Sequence, residues 1–171
     1  LCRKALPGSP ASSDSLFLGE SIASAFDLYL VGRLLGHAPD ALFLETQVPA
    51  MAEAAEAAGL DEEGFERLLE GVAADPDRAF EDLRALLFDA GTALVDAKGP
   101  AEAAATLERF EAHRFAPLLH HYELSNWILY ARAYAAKPIA PDEATRAVDR
   151  ALREAPVALD WLQKRWVDTA L

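Results

Sequence analysis

Two carboxylates set into an apolar stretch are the side chains of this chain with the clearest chemical potential. Glu20 and Asp27 lie in the segment 17–35, FLGESIASAFDLYLVGRLL. On a helix they fall about 20° apart, because seven residues at about 100° each make nearly two turns. The face that carries them and the opposite face are equally apolar. A helix apolar on every side is normally buried, so the sequence predicts that both carboxylates are buried.

A buried carboxylate must be paired with a cation, bound to a metal or protonated, because burying an isolated charge costs several kcal/mol or more. One interpretation is therefore a structural ion pair with one of three arginines, Arg33, Arg109 or Arg132. The other interpretation is a metal site or a proton-transfer role for Glu20 and Asp27.

A second group of side chains that can bind metals lies on a later segment and comprises His113, His120, His121 and Glu123. Imidazole and carboxylate groups are ligands of zinc, iron and manganese. His113 and His120 are seven residues apart, so they share a helix face only if Pro117 does not break the helix. The alternative is that these histidines lie at the surface or in an interface.

Together the two groups predict a divalent-metal site, with zinc as the first choice of metal and iron or manganese as the second. In this site Glu20 and Asp27 would meet His113 or His120 across a helix interface, as carboxylate sites in helix bundles do. The sequence assigns no catalytic residue. It contains no GxSxG elbow, Walker A loop, dinucleotide-binding fingerprint or EF-hand loop.

A family resemblance covers residues 19–27, GESIASAFD. This stretch resembles the helix that supplies the third zinc ligand in gluzincin metallopeptidases, where a Glu preceded by Gly or Asn follows an HExxH helix. The resemblance implies that Glu20 is the zinc-ligating carboxylate and that Asp27 is a supporting partner of that ligand. The chain contains no HExxH, so the resemblance implies that this motif lies before Leu1.

Composition limits the remaining possibilities. With 171 residues and 52% hydrophobic content, the chain can bury one sizeable core. Its formal charge of -12 argues against partners that are nucleic acids or anionic lipid surfaces. The single cysteine, Cys2, cannot form an internal disulfide, and no run of about 18 uninterrupted apolar residues occurs. We therefore expect a cytoplasmic, soluble protein without a membrane anchor.

Gly and Pro divide the chain into helical segments. We predict an all-α fold, an orthogonal or bundle-like array of about six to seven helices with the first helix and the middle of the fifth at its centre. Residues 1–15 are expected to be a flexible segment or linker, with Asp14 or Ser15 as the first cap, and 16–171 to be one helical domain of a longer protein. The predicted segments are 17–35, 40–59 kinked or split at Pro49, 61–73, 76–99, 100–137 interrupted only at Pro117, 141–154, and one from Pro156 onward.

Three functional hypotheses follow. The leading one is an acidic helical domain that contributes a buried carboxylate to a metal site, as in a zinc hydrolase. The alternative is a non-catalytic interaction or structural module, whose first helix is covered by a protein partner or by the remainder of a longer chain. The third is a metal oxidase of the bundle type, although the sequence contains no Glu-x-x-His pair.

Overall fold

The computed structural model describes residues 11–135 and 141–168, and these residues form helices and turns without a β-strand. The order is α1 (Ser13–His37), α2 (Leu42–Ala57), α3 (Glu62–Ala74), α4 (Pro76–Leu94), α5 (Pro100–Glu108), a 3-10 helix (Ala116–Tyr122), α6 (Leu124–Tyr134), α7 (Glu143–Glu154) and α8 (Ala158–Leu162). A π-helical turn, Gln163–Val167, continues α8. The all-α prediction is confirmed. The predicted six to seven helices are too few, since the described residues contain nine helical segments when α8 and its π turn are counted as one.

The long apolar helix α1 lies at the centre of the fold. It packs most extensively against α4 and also contacts α2, α3, α6 and α7. Phe17, Leu28 and Val31 of α1 are completely buried, as are Phe80 and Leu83 of α4. By length and composition alone, α1 would suffice to cross a membrane. In this fold, the apolar side chains on its inner face form the core.

Side-chain caps explain where several helices begin. The Asp75 carboxylate accepts a hydrogen bond from the Arg78 N–H at 3.0 Å, and Pro76 occupies the first turn of α4, as the sequence predicts. At α1 the cap is Ser12, whose hydroxyl accepts from the Ser15 N–H at 3.0 Å. The predicted cap at Asp14 or Ser15 is therefore wrong, and the helix includes residues 13–15 of the predicted flexible segment. Residues 1–10 of that segment lie outside the described residues.

The first turns of α1 and α7 are joined by hydrogen bonds that we call the N-terminal clasp. The Ser12 hydroxyl donates to the Asp142 carboxylate at 2.7 Å, and Asp142 caps α7. In return, the Asp14 carboxylate accepts from the Asp142 N–H at 2.9 Å and from the Arg146 guanidinium at 2.8 Å. The acidic side chains at both helix starts also match the positive ends of the helix dipoles. The clasp therefore fixes two helices that are far apart in the sequence.

The predicted fifth segment is not one helix interrupted only at Pro117. α5 ends at Glu108, turns follow, and Pro117 lies in the first turn of the 3-10 helix. Glu123 then adopts a left-handed conformation, with φ 47°, before α6 begins. These breaks turn the chain so that Phe115 and Leu118 are completely buried. The prediction fails because this tertiary packing outweighs the helical propensity of the segment. By contrast, α2 continues through Pro49.

A close approach between α1 and α3 depends on one glycine. A Cβ atom at Gly32 would lie 2.7 Å from the Val72 carbonyl oxygen and 3.0 Å from a Val72 side-chain carbon. Contacts below 3.0 Å are too short for real Cβ atoms, so a larger residue at this position would push the two helices apart.

Candidate binding surface

Glu20 and Asp27 lie on α1, but both are exposed. The prediction that they are buried is therefore wrong. Neither carboxylate forms a salt bridge or hydrogen bond with any residue that the structure describes. The predicted ion pairs are also wrong: Arg33 is exposed, Arg109 donates to the Thr106 carbonyl, and Arg132 donates to the carbonyls of Val95 and Ala97, just after α4.

Asp27 has a neighbour from the histidine group, but that neighbour is His121 and not His113 or His120. Partial desolvation raises the pKa of the Asp27 carboxyl, and the charge of His121 opposes this shift. Burial lowers the pKa of the His121 imidazole, while the Ala50 backbone and the Asp27 carboxylate act in the opposite direction. Burial, together with the charge of Asp27, also raises the pKa of Tyr122. The two groups influence each other through their charges, but no hydrogen bond joins Asp27 to His121 among the described residues.

The structure does not bring the remaining predicted ligands together. His113 lies in the turns after α5, where its Nδ1 accepts a hydrogen bond from the Phe115 N–H at 3.2 Å. His120 lies on the 3-10 helix and is exposed. Among residues 11–135 and 141–168, no three His, Cys, Asp or Glu side chains are grouped so that they could hold a metal ion. A metal role for Glu20, Asp27, His113 and His120 stays a prediction, which elemental analysis of the purified protein would test.

Among the described residues, the charged side chain with the least exposed surface lies on α4. Arg84 has no exposed surface. Its guanidinium donates to both oxygens of the Glu81 carboxylate, at 2.7 and 2.6 Å, and to the Asp149 carboxylate on α7 at 2.8 Å. Arg153 then joins Asp149 to Asp89 at distances of 2.8 to 3.2 Å. Charged partners satisfy this guanidinium, as burial requires, so the network fastens α7 to α4.

An open groove of about 900 Å³ with a mainly apolar lining lies between α1, the start of α4 and α8. We call it the aromatic groove. Its apolar lining consists of Ile22, Phe26 and Tyr29 from α1, with Leu159, Leu162, Trp166 and Val167 from α8 and its π turn. α8 packs against α4 and α7, and the groove lies on its side toward α1. Because Phe26 is 42% exposed and Val167 56% exposed, a large apolar surface is left in water.

Aromatic contacts give both walls of the groove a defined shape. The rings of Phe26 and Tyr29 stack on α1, with centroids 5.6 Å apart and planes 24° apart. On the opposite wall, Trp161 supports Trp166 edge to face, with centroids 5.2 Å apart. Trp166 is presented by the π turn, a rare conformation that often marks functional sites. Ring contacts therefore hold the aromatic side chains of both walls in place.

The polar members of the groove lining are acidic or neutral. They are Asp77 from the first turn of α4, Asp160 from α8, and Gln163. Neither Asp77 nor Asp160 forms a salt bridge or hydrogen bond within the described parts of the chain. Lys164 and Arg165 lie on the same π turn but do not line the groove. The groove thus offers two unpaired carboxylates beside an apolar floor.

Sequence reasoning interpreted the α1 wall of this groove as core. Ile22, Phe26 and Tyr29 follow the spacing i, i+4, i+7 of one helix face, which was the available signal. That spacing cannot distinguish a face covered by the chain itself from one that is left open. The α8 wall carries the aromatic residues Trp161 and Trp166, but aromatic residues on a helical segment are more often typical of core packing than of a binding surface.

A second concavity of about 610 Å³ lies between the end of α4, α5 and α6, and His120 is on its rim. It also includes Glu123, whose carboxylate accepts a hydrogen bond from the Asn126 amide at 2.6 Å. The Glu123 carboxylate of this second concavity therefore already has a hydrogen-bond partner within the chain.

No family model matches the chain, and comparisons with curated proteins and with solved structures find no match either.

Proposed function

We propose that this protein is a non-catalytic interaction module whose aromatic groove binds the apolar face of a helix from a partner protein. The observation that carries the proposal is the exposure of Phe26 within a shaped aromatic groove. Contiguous apolar surface of this kind is costly to leave in water and marks interaction sites. An amphipathic helix fits such a groove by inserting side chains spaced i, i+3, i+4 and i+7.

Two other occupants are less consistent with the charges. A second copy of this chain would bring its own Asp77 and Asp160, with the same formal charge of -12, against the same surface. Like charges placed together across an interface oppose association. An anionic membrane surface meets the same repulsion.

The test uses a fluorescein-labelled peptide of about 18 residues, roughly five helical turns, with leucines on one face and Gln, Ser and Ala elsewhere. Fluorescence anisotropy should show saturable binding to the native protein. Phe26→Gln should weaken binding about threefold to eightfold, since fully burying a Phe side chain is worth about 1.5–3 kcal/mol, only the exposed 42% of Phe26 remains to be buried, and about 1.4 kcal/mol corresponds to tenfold.

The matched control is Leu42→Gln, which changes a more exposed apolar side chain, 73% exposed, on α2 and outside the groove. This variant should bind the peptide as the native protein does. Circular dichroism should show that both variants keep their helicity. An equal loss of affinity in both variants, or no saturable binding to the native protein, would contradict the proposed function.

A further inference from the structure

Building on the binding function proposed above, we infer that the partner helix is positively charged: it carries Lys or Arg beside its apolar face, placed to meet Asp77 and Asp160. The aromatic groove holds two charged side chains, and both are carboxylates. Neither is neutralised by a described residue of the protein. The nearest basic residue in sequence to Asp77 is Arg78, which is paired with Asp82 at 2.8 Å.

The net charge of the whole chain favours the same kind of partner. The whole chain has 28 acidic and 16 basic residues, so the field far from the groove also attracts cations. Such a field speeds the encounter with a basic partner. The two groove carboxylates then give the bound helix its orientation, because they come from different elements, α4 and α8.

The expected size of the effect follows from surface ion pairs. Each exposed pair contributes about 0.2–1 kcal/mol, so two pairs correspond to an affinity gain of about twofold to thirtyfold. Because these charges are exposed, most of the gain should disappear at about 0.5 M salt, where the screening length is only a few ångströms. Binding through the apolar face should persist at that salt concentration.

The experiment compares three peptides that share the leucine face of the neutral peptide. The polar positions carry Gln in the first, Lys in the second and Glu in the third. By anisotropy at about 0.02 M salt, where screening is weak, the Lys peptide should bind about tenfold more tightly than the Gln peptide. The Glu peptide should bind least tightly. The double variant Asp77→Asn with Asp160→Asn should reduce the affinity for the Lys peptide to that for the Gln peptide.

The matched control is the double variant Asp40→Asn with Asp96→Asn. Both positions are exposed and neither lines the groove, so this variant makes the same change in net charge elsewhere. It should keep the preference for Lys. If the control loses the preference as the groove variant does, the net charge and not the groove selects the peptide, and the inference is wrong.

The outcomes separate the two proposals. Equal binding of the Lys and Gln peptides, with Phe26→Gln still weakening the binding of both, would overturn the charge preference and leave the proposed function standing. A Lys peptide that binds tightly but is insensitive to Phe26→Gln would overturn both proposals, because binding would then not involve the groove. Absence of binding by all three peptides would also overturn both.

Discussion

Arg84 is completely buried, and its guanidinium donates two hydrogen bonds to Glu81 on its own helix and one to Asp149 on α7. We predict that Arg84→Met lowers the free energy of unfolding by about 3–5 kcal/mol, because it leaves the buried Asp149 carboxylate without one of its two cations. Urea unfolding monitored by circular dichroism measures this change.

Arg67→Met is the control for this prediction. Arg67 forms a salt bridge to Glu63 one helical turn away, with 60% of its side chain exposed. Exposed pairs contribute about 0.2–1 kcal/mol, so this variant should be nearly as stable as the native protein. A loss for Arg84→Met no larger than that for Arg67→Met would show that the α4–α7 network does not stabilise the fold.

The sequence pattern predicted buried carboxylates at Glu20 and Asp27, whereas the completely buried charged side chain is Arg84. Glu20 and Asp27 have apolar neighbours in the sequence, and this pattern predicts burial, yet both side chains are exposed. Arg84 occupies an ordinary amphipathic helix, and its burial depends on Asp149, 65 residues later. Periodicity within one helix contains no information about such a partner.

Among the helices, α1 and α3 are held close by the absence of a side chain at Gly32. We predict that Gly32→Ala destabilises the protein by about 1–3 kcal/mol, the usual cost of overpacking, because its Cβ would collide with the Val72 carbonyl. Gly36→Ala in the same helix has open space around its Cβ. It should stabilise α1 by about 0.5–1 kcal/mol.

Thermal melts of the two variants check this prediction, since their melting temperatures should move in opposite directions. A rise in both would mean that α1 and α3 can separate without loss of stability.

The elements also show where prediction from local signals succeeds. α3, α4 and α7 begin at the carboxylate caps Asp61, Asp75 and Asp142, because caps and prolines act through neighbouring backbone atoms. The segment 100–137 breaks elsewhere than predicted. Its turns are decided by the burial of Phe115 and Leu118 in a core supplied by other helices. The open α1 face of the groove likewise depends on how the helices pack.

For the whole molecule, we predict that stability decreases as the pH falls from about 7 to about 5.5. Burial lowers the pKa of both His113 and His121 below the ordinary value of 6.5. A histidine whose folded pKa is lowered stabilises the fold above its unfolded pKa. That contribution is lost as the pH falls through the folded pKa, because the unfolded chain binds the proton more readily.

The double variant His113→Gln with His121→Gln should therefore show a flatter dependence of the unfolding free energy on pH in this range. The corresponding variant of the two exposed histidines, His37 and His120, serves as the control and should keep the native slope. Chemical unfolding at several pH values compares the three proteins. Parallel curves for all three would show that the half-buried histidines are not the source of the slope.

The N-terminal clasp has a consequence for the order of events during synthesis. Ser12 and Asp142 are 130 positions apart, so at about 5–20 residues per second the ribosome needs about 6–26 s to make the second after the first. α1 is therefore made long before the α7 residues that hydrogen-bond to its first turn. α4, its main packing partner, is made well before α7. The nascent chain can thus pack α1 against α4 first, and it joins the two helix starts only after α7 has been made.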